Sequence, residues 1–119
     1  MKPTVENLTR GDVILVLFPN SNLRTAKTRP AVVVQADHLA TGLKQLVVAM
    51  ITSRMDRGGH PSRVVVLRND PLGKRSGLLK DSVVMADNLA TVAESAIDRQ
   101  IGSLTMTEID QALRNTLAL

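Results

Sequence analysis

Arg29, Thr52 and Ser53 are the residues of this chain whose types and spacing could do chemistry, and the chemistry they suit is that of a phosphate group. Arg29 sits in Lys27-Thr28-Arg29-Pro30, which opens the apolar run Ala31-Val32-Val33-Val34; a second apolar run closes on Ile51-Thr52-Ser53. Pro30 drives Arg29 out of helical space into an extended conformation. Proline fits a strand only at its start or on an edge, which places Arg29 at a strand mouth. If the two runs pair antiparallel, the guanidinium and the two hydroxyls arrive at the same end of a sheet. A planar guanidinium holds two phosphate oxygens at once, and hydroxyls add neutral donors.

The elements that must position this corner are short and mostly extended. Asp12–Phe18, Pro30–Ala36, Gln45–Thr52, Ser62–Leu67 and Ser82–Ala86 are rich in Val, Ile and Leu and read as five strands. Turn residues separate them at Pro19–Asn22, Asp37–Gly42, Arg57–Pro61 and Asn69–Gly73. Strands at this spacing predict a small, strongly curved sheet or barrel. A short helix over His38–Thr41, stopped by Gly42, is a weaker expectation. At the other end, Thr105-Met106-Thr107-Glu108 matches a capping box. Ile109, Ala112, Leu113, Thr116 and Leu117 then recur at helical spacing, with Asp110, Gln111, Arg114 and Asn115 left outside. That helix is expected to dock on the sheet through its apolar stripe.

Composition narrows the field further. The 119 residues fit one domain, spanning 1–119, with a real hydrophobic core. No cysteine is present, which excludes disulfides and thiolate metal sites, and the two histidines, His38 and His60, have no metal-ligand spacing. No metal or other cofactor is expected. Fifteen basic residues against eleven acidic leave +4, a modest tilt toward anionic partners. Phe18 is the only aromatic residue, so nucleic acid would be held by charge, hydrogen bonds and guanidinium planes, not by stacking platforms. The N-terminal residues lack the apolar stretch of a signal peptide and no run reaches membrane-spanning length, so a soluble cytoplasmic protein is expected.

Five motifs run in order along the chain: Arg10-Gly11-Asp12-Val13-Ile14-Leu15-Val16 with Phe18-Pro19, then Thr28-Arg29-Pro30-Ala31-Val32-Val33-Val34, then Ile51-Thr52-Ser53. Ser76-Gly77-Leu78-Leu79-Lys80-Asp81-Ser82-Val83-Val84 and Ile101-Gly102-Ser103-Leu104 complete the series. In these motifs, through most of its length, the chain resembles the MazF/PemK family of endoribonuclease toxins. The resemblance implies a mainly β, SH3-like small barrel with a C-terminal helix, of the CcdB/MazF/PemK type. It implies a homodimer that cleaves single-stranded RNA at short sequences and is neutralised by a cognate MazE-like antitoxin. It also implies that Arg29 and Thr52 carry catalysis, and it puts Asp87 at the place of an acidic residue used in some members.

Three positions depart from the family pattern. Met85 stands where some members have an arginine, Pro19–Thr28 contains no acid, and Ala90 replaces a basic residue.

The implied reaction uses the ribose 2′-hydroxyl as nucleophile and leaves a 2′,3′-cyclic phosphate and a 5′-hydroxyl. It needs phosphorane charge stabilised and two protons moved. Arg29 meets the first need, with Thr52 and Ser53 as neutral donors. Arginine holds its proton too firmly to be a base, and Asp87 is the family-matched carboxylate, either as base or as orienter of Arg29. Arg24, Lys27, Thr28, Ser53, Arg54, Arg57 and Lys80 are the residues expected to track RNA from connectors around that corner, with the groove between the Pro19–Thr28 and Arg54–Pro61 loops. Two alternatives stay open: a CcdB-like toxin that binds gyrase, and a non-catalytic SH3-like binding module.

Overall fold

A computed structural model describes residues 2–19, 22 and 24–119. Asn20 and Ser21 of the expected first turn, together with Leu23, lie outside the described residues. Six strands form one antiparallel sheet: β1 (Asp12–Pro19), β2 (Ala26–Val33), β3 (Gln45–Thr52), β4 (Arg63–Val66), β5 (Ser82–Ala93) and β6 (Ile97–Ser103). Their order across the sheet is β4-β5-β3-β2-β1-β6. Two helices accompany them, α1 (Pro71–Ser76) and α2 (Thr107–Leu117). The mainly β architecture with a closing helix is the one expected.

Both faces of this sheet are covered, which is why its central strands carry nearly unbroken Val and Ile. Val13, Val32, Ala49, Val84 and Ala86 pack with Ile109, Ala112 and Leu113 of α2. On the other side Ile14, Val16, Ala31, Val33, Val48 and Ile97 form a second cluster, closed by Leu8 and Val92. Full burial of Ile109 and Leu113 contributes about 1.5–3 kcal/mol each, enough to seat an eleven-residue helix.

Several local expectations are corrected. The second strand begins earlier than Pro30, and Pro30 lies within it. It is tolerated there because β2 pairs with β3 only over Ala31–Val33, so its first half is edge-like on that side. β5 runs to Ala93, well past Ala86, and β6 is a sixth strand where none was expected. The Asn69–Gly73 turn leads into α1, with Pro71 in the first helical turn. The capping box is not made: α2 starts at Thr107, and Met106, already close to helical backbone at φ −88° and ψ −6°, takes the cap position one residue past Thr105 with no side-chain bond. Leu117 is half exposed, and Asp110 turns inward to meet Arg10. No helix forms over His38–Thr41, since His38 and Ala40 are both left-handed, at φ 56° and 53°.

One glycine shapes the region of interest. Gly77 ends α1 at φ 72°, and a Cβ there would run into the Ile101 carbonyl of β6. The backbone of α1 is thereby laid directly against β6, which aims Leu78, Leu79 and Lys80 toward the β1–β2 end of the sheet.

Candidate functional site

Where β2 leaves β3, the surface opens. The last paired rung is Ala31 opposite Met50. Pro30 has no N–H to give to a ladder, and pairing ends beside it. Carried two residues further, the same register sets Arg29 across from Thr52 and on the same face of the sheet. Both residues line an open groove of about 790 Å³.

Of the residues expected from sequence, Lys27, Thr28, Arg29, Thr52, Ser53, Arg54, Arg57 and Lys80 all line this groove. They come from three separate stretches: the start of β2, the connection after β3, and the wall following α1. The Thr52 Oγ1 accepts the Arg54 N–H at 3.2 Å, which turns the hydroxyl and leaves its own O–H able to donate. Arg54 caps the 3-10 turn Met55–Arg57 and Arg57 closes it.

Two expected residues are placed elsewhere. Arg24 is not among the lining residues; its backbone N–H is tied to the Asn22 side chain at 2.9 Å. Asp87 is not among them either. β3 pairs with β5 in two registers, Ala49 opposite Leu89 and Met50 opposite Met85, so Ala86, Asp87 and Asn88 bulge from the ladder. The bulge delivers Asp87 to Arg63, whose Nη2 and Nε donate to its two oxygens at 2.9 and 3.4 Å. This hydrogen-bonded guanidinium holds the Asp87 carboxyl below its ordinary value.

The groove also contains residues that the sequence reading missed. Arg99 projects into it from β6, where it stands opposite Leu15. Ile97 and Ile101 bracket three polar residues without period-2 alternation and pack into opposite clusters across a bulged pairing, so the sequence carried no clean signal for that strand. Asn88 adds a polar group from the bulge, while Leu15, Met85 and Ile101 give the floor an apolar patch.

The electrostatics are one-sided. Lys27, Arg29, Arg54, Arg57, Lys80 and Arg99 all line the groove, and no carboxylate or imidazole is among its described lining residues. Among the described residues, Arg54 is the one of these six in an ion pair, with Asp56, and both partners are about two-thirds exposed, so that pair neutralises little. Among the described residues no group of His, Asp or Glu is arranged to hold a metal ion. Low-dielectric walls and unpaired cations of one sign make a strong local site for a polyanion.

Solved structures share this fold. The chain is similar to an endoribonuclease in complex with its cognate antitoxin from a mycobacterial species, at 23% identity over 94% of this chain and 96% of that one, with a TM-score of 0.70. It is similar to the Mycobacterium tuberculosis toxin MazF-mt6 at 25% identity over 89% and 97%, with a TM-score of 0.65. A MazE–MazF complex from Deinococcus radiodurans matches at 18% identity over 93% and 94%, with a TM-score of 0.69. The family model for the PemK-like, MazF-like toxin of type II toxin–antitoxin system matches residues 9–118, and the chain belongs to that family.

Proposed function

We propose that this toxin is an endoribonuclease that cuts single-stranded RNA in the groove, by attack of a ribose 2′-oxygen on the adjacent phosphorus and without a metal ion. The observation that carries the reading is the register of Arg29 across from Thr52 in a groove whose described lining residues include six cations and no carboxylate. In the reaction the 2′-O–P bond forms and the P–O5′ bond breaks. The 2′ proton leaves to solvent and the 5′-oxygen gains one, giving 2′,3′-cyclic phosphate and 5′-hydroxyl ends. Arg29 forks onto the two non-bridging oxygens, where charge grows in the transition state. Thr52 and Ser53 donate to the same phosphate. Lys27, Thr28, Arg54, Arg57, Lys80 and Arg99 hold neighbouring nucleotides, and Arg24 adds only approach charge.

Asp87 is given a different part from the base considered from sequence. Both its oxygens are engaged by Arg63 and its proton affinity is lowered, so it positions and does not abstract. Stabilisation of phosphorane charge, not a side-chain base, then supplies most of the rate.

A MazE-like antitoxin belongs to the same reading. An acidic segment with apolar anchors would find six cations and the strongly exposed Leu79 on one surface, and would exclude RNA by occupying it. A homodimer, and action in the cytoplasm where RNA and antitoxin meet, complete the proposal. No described helix is long and apolar enough to cross a membrane.

The test is incubation of the purified protein with mixed RNA in EDTA, followed by mapping of the new 5′ ends. Cleavage at recurring short sequences with 5′-hydroxyl ends is expected. Intact RNA together with impaired DNA supercoiling would favour the CcdB-like alternative. Intact RNA with growth arrest that survives Arg29→Ala would favour a binding module.

A further inference from the structure

The contact that removes Asp87 from the groove leads back to it by another route. Arg63 opens β4, opposite Met85. While Nε and Nη2 engage the Asp87 carboxylate, Nη1 donates to the Arg57 carbonyl at 3.2 Å. One guanidinium thus fastens the 3-10 turn Met55–Arg57 to the β5 bulge. Within the turn, the Arg57 N–H donates to the Arg54 carbonyl at 3.0 Å and the Gly58 N–H to the Met55 carbonyl at 3.1 Å. At its near end the Arg54 N–H reaches the Thr52 hydroxyl. A run of hydrogen bonds therefore connects Asp87 to Thr52.

The turn has little else to hold it. It buries none of its residues, and segments with few buried apolar contacts open at low free-energy cost. Yet it carries Arg54 and Arg57, two of the six groove cations. The Arg63–Asp87 pair is better sheltered than the Arg54–Asp56 pair, with side chains 22% and 32% exposed against 62% and 65%.

We propose that Arg63 is a positioning residue of the RNA groove: held by Asp87, it clasps the Arg57 carbonyl and keeps the Arg54–Arg57 turn in the geometry that binds RNA. The inference rests on the RNA reading above. It assigns Arg63 to substrate binding and not to bond cleavage: Arg29 and Thr52 are carried by β2 and β3, and the turn meets that pair through one bond, the Arg54 N–H to the Thr52 oxygen, which leaves the Thr52 O–H free to donate whether the turn is held or open. Opening the turn removes two cations from the groove but leaves the β2–β3 corner in place.

The experiment compares wild type, Arg63→Ala and Arg63→Lys, each checked for folding by circular dichroism. Amide hydrogen exchange at Arg57 and Gly58 is read by NMR. Affinity for a mixed pool of short, uncleavable 2′-O-methyl RNAs is measured by fluorescence anisotropy across salt concentrations, and cleavage kinetics are measured on natural RNA. In Arg63→Ala, exchange at both amides is expected to accelerate about tenfold or more. Affinity should fall about tenfold, and the log–log salt slope should shrink by about 1.4, the value for two lost phosphate contacts on a single strand. KM should rise in step while kcat changes by less than about threefold, the signature of lost ground-state binding. Arg63→Lys keeps the charge beside Asp87 but lacks the fork that reaches both partners, so it should fold normally and still exchange fast.

Unchanged exchange at Arg57 and Gly58 in either variant would overturn the clasp. Faster exchange with unchanged RNA affinity would overturn its role in binding. Failure of the wild type itself to bind the RNA pool would sink the RNA reading and this inference with it. That outcome is told apart from the others because the wild type, not the variant, is silent.

Discussion

Arg10 lies just ahead of β1 and Arg29 lies on β2, and the two keep opposite company. The Arg10 Nε donates to the Val34 carbonyl at 2.9 Å, and its Nη2 meets Asp110 of α2 at 2.6 Å. Even its backbone N–H is used, by Asp37 at 2.7 Å. Arg29 is exposed and, among the described residues, forms no ion pair and shares its groove with no carboxylate. The same side chain is in one place a fastener between sheet and helix, and in the other an open fork. The identity of the residue does not distinguish them; the use of its donors does. A guanidinium with satisfied donors holds structure, and one with unused donors facing a cleft is poised for an anion.

The largest effect that tests this contrast is at Arg29. Arg29→Ala should lower RNA cleavage about 10²–10³-fold, the usual result of removing one donor to a transition-state oxyanion. Its thermal midpoint should stay within about 2 °C of wild type, since no internal contact is lost. A large drop in midpoint with activity retained would erase the distinction.

Arg10→Ala should do the reverse. It leaves the Val34 carbonyl and the half-buried Asp110 without their partner, and should cost about 1–3 kcal/mol in urea unfolding. The folded fraction should cleave RNA at the wild-type rate. Loss of cleavage without loss of stability would place Arg10, too, among the RNA-contacting residues.

Smaller effects are expected from the groove's outlying cations. Lys80→Ala and Arg99→Ala should each reduce the salt slope of RNA binding by about 0.7, with stability unchanged. No change for Arg99 would confine the groove to the β2–β3 side.

The smallest concerns pH. Arg63 holds the Asp87 carboxyl below its ordinary value of 3.8, so its contribution to stability is present above that pH and is lost as pH falls through the lowered folded value. The difference in urea midpoint between wild type and Asp87→Asn should therefore be positive at pH 7 and vanish in strong acid. A difference that persists there would mean that the charge on Asp87 is not what binds Arg63.

The corner itself was legible because its cues are local. Pro30 restricts Arg29 whatever surrounds it, and Ile51-Thr52-Ser53 marks a strand end by composition. α2 was legible in its apolar stripe. What could not be read depended on distant parts of the chain. Asp87 looks available in sequence, but its direction is set by a register shift between β3 and β5 that no neighbouring residue encodes. Arg99 was hidden because β6 is half polar and follows β5 after the single 3-10 turn Glu94–Ala96. Thr105 has the right neighbours for a cap, yet the helix starts one residue later, with Met106 in the cap position. Leu117 sits at helical spacing beyond the point where the sheet stops covering α2.

The closeness of Gly77 to the Ile101 carbonyl makes the two walls of the groove unequal in compliance. On the Leu78–Lys80 side, backbone rests on backbone, and no rotamer change can widen the cleft. The Arg54–Gly58 side yields as soon as one guanidinium lets go. On the proposed reading, a nucleotide chain and a competing peptide of different thickness would be fitted by movement of the Arg54–Gly58 wall against a backbone-on-backbone wall that stays put.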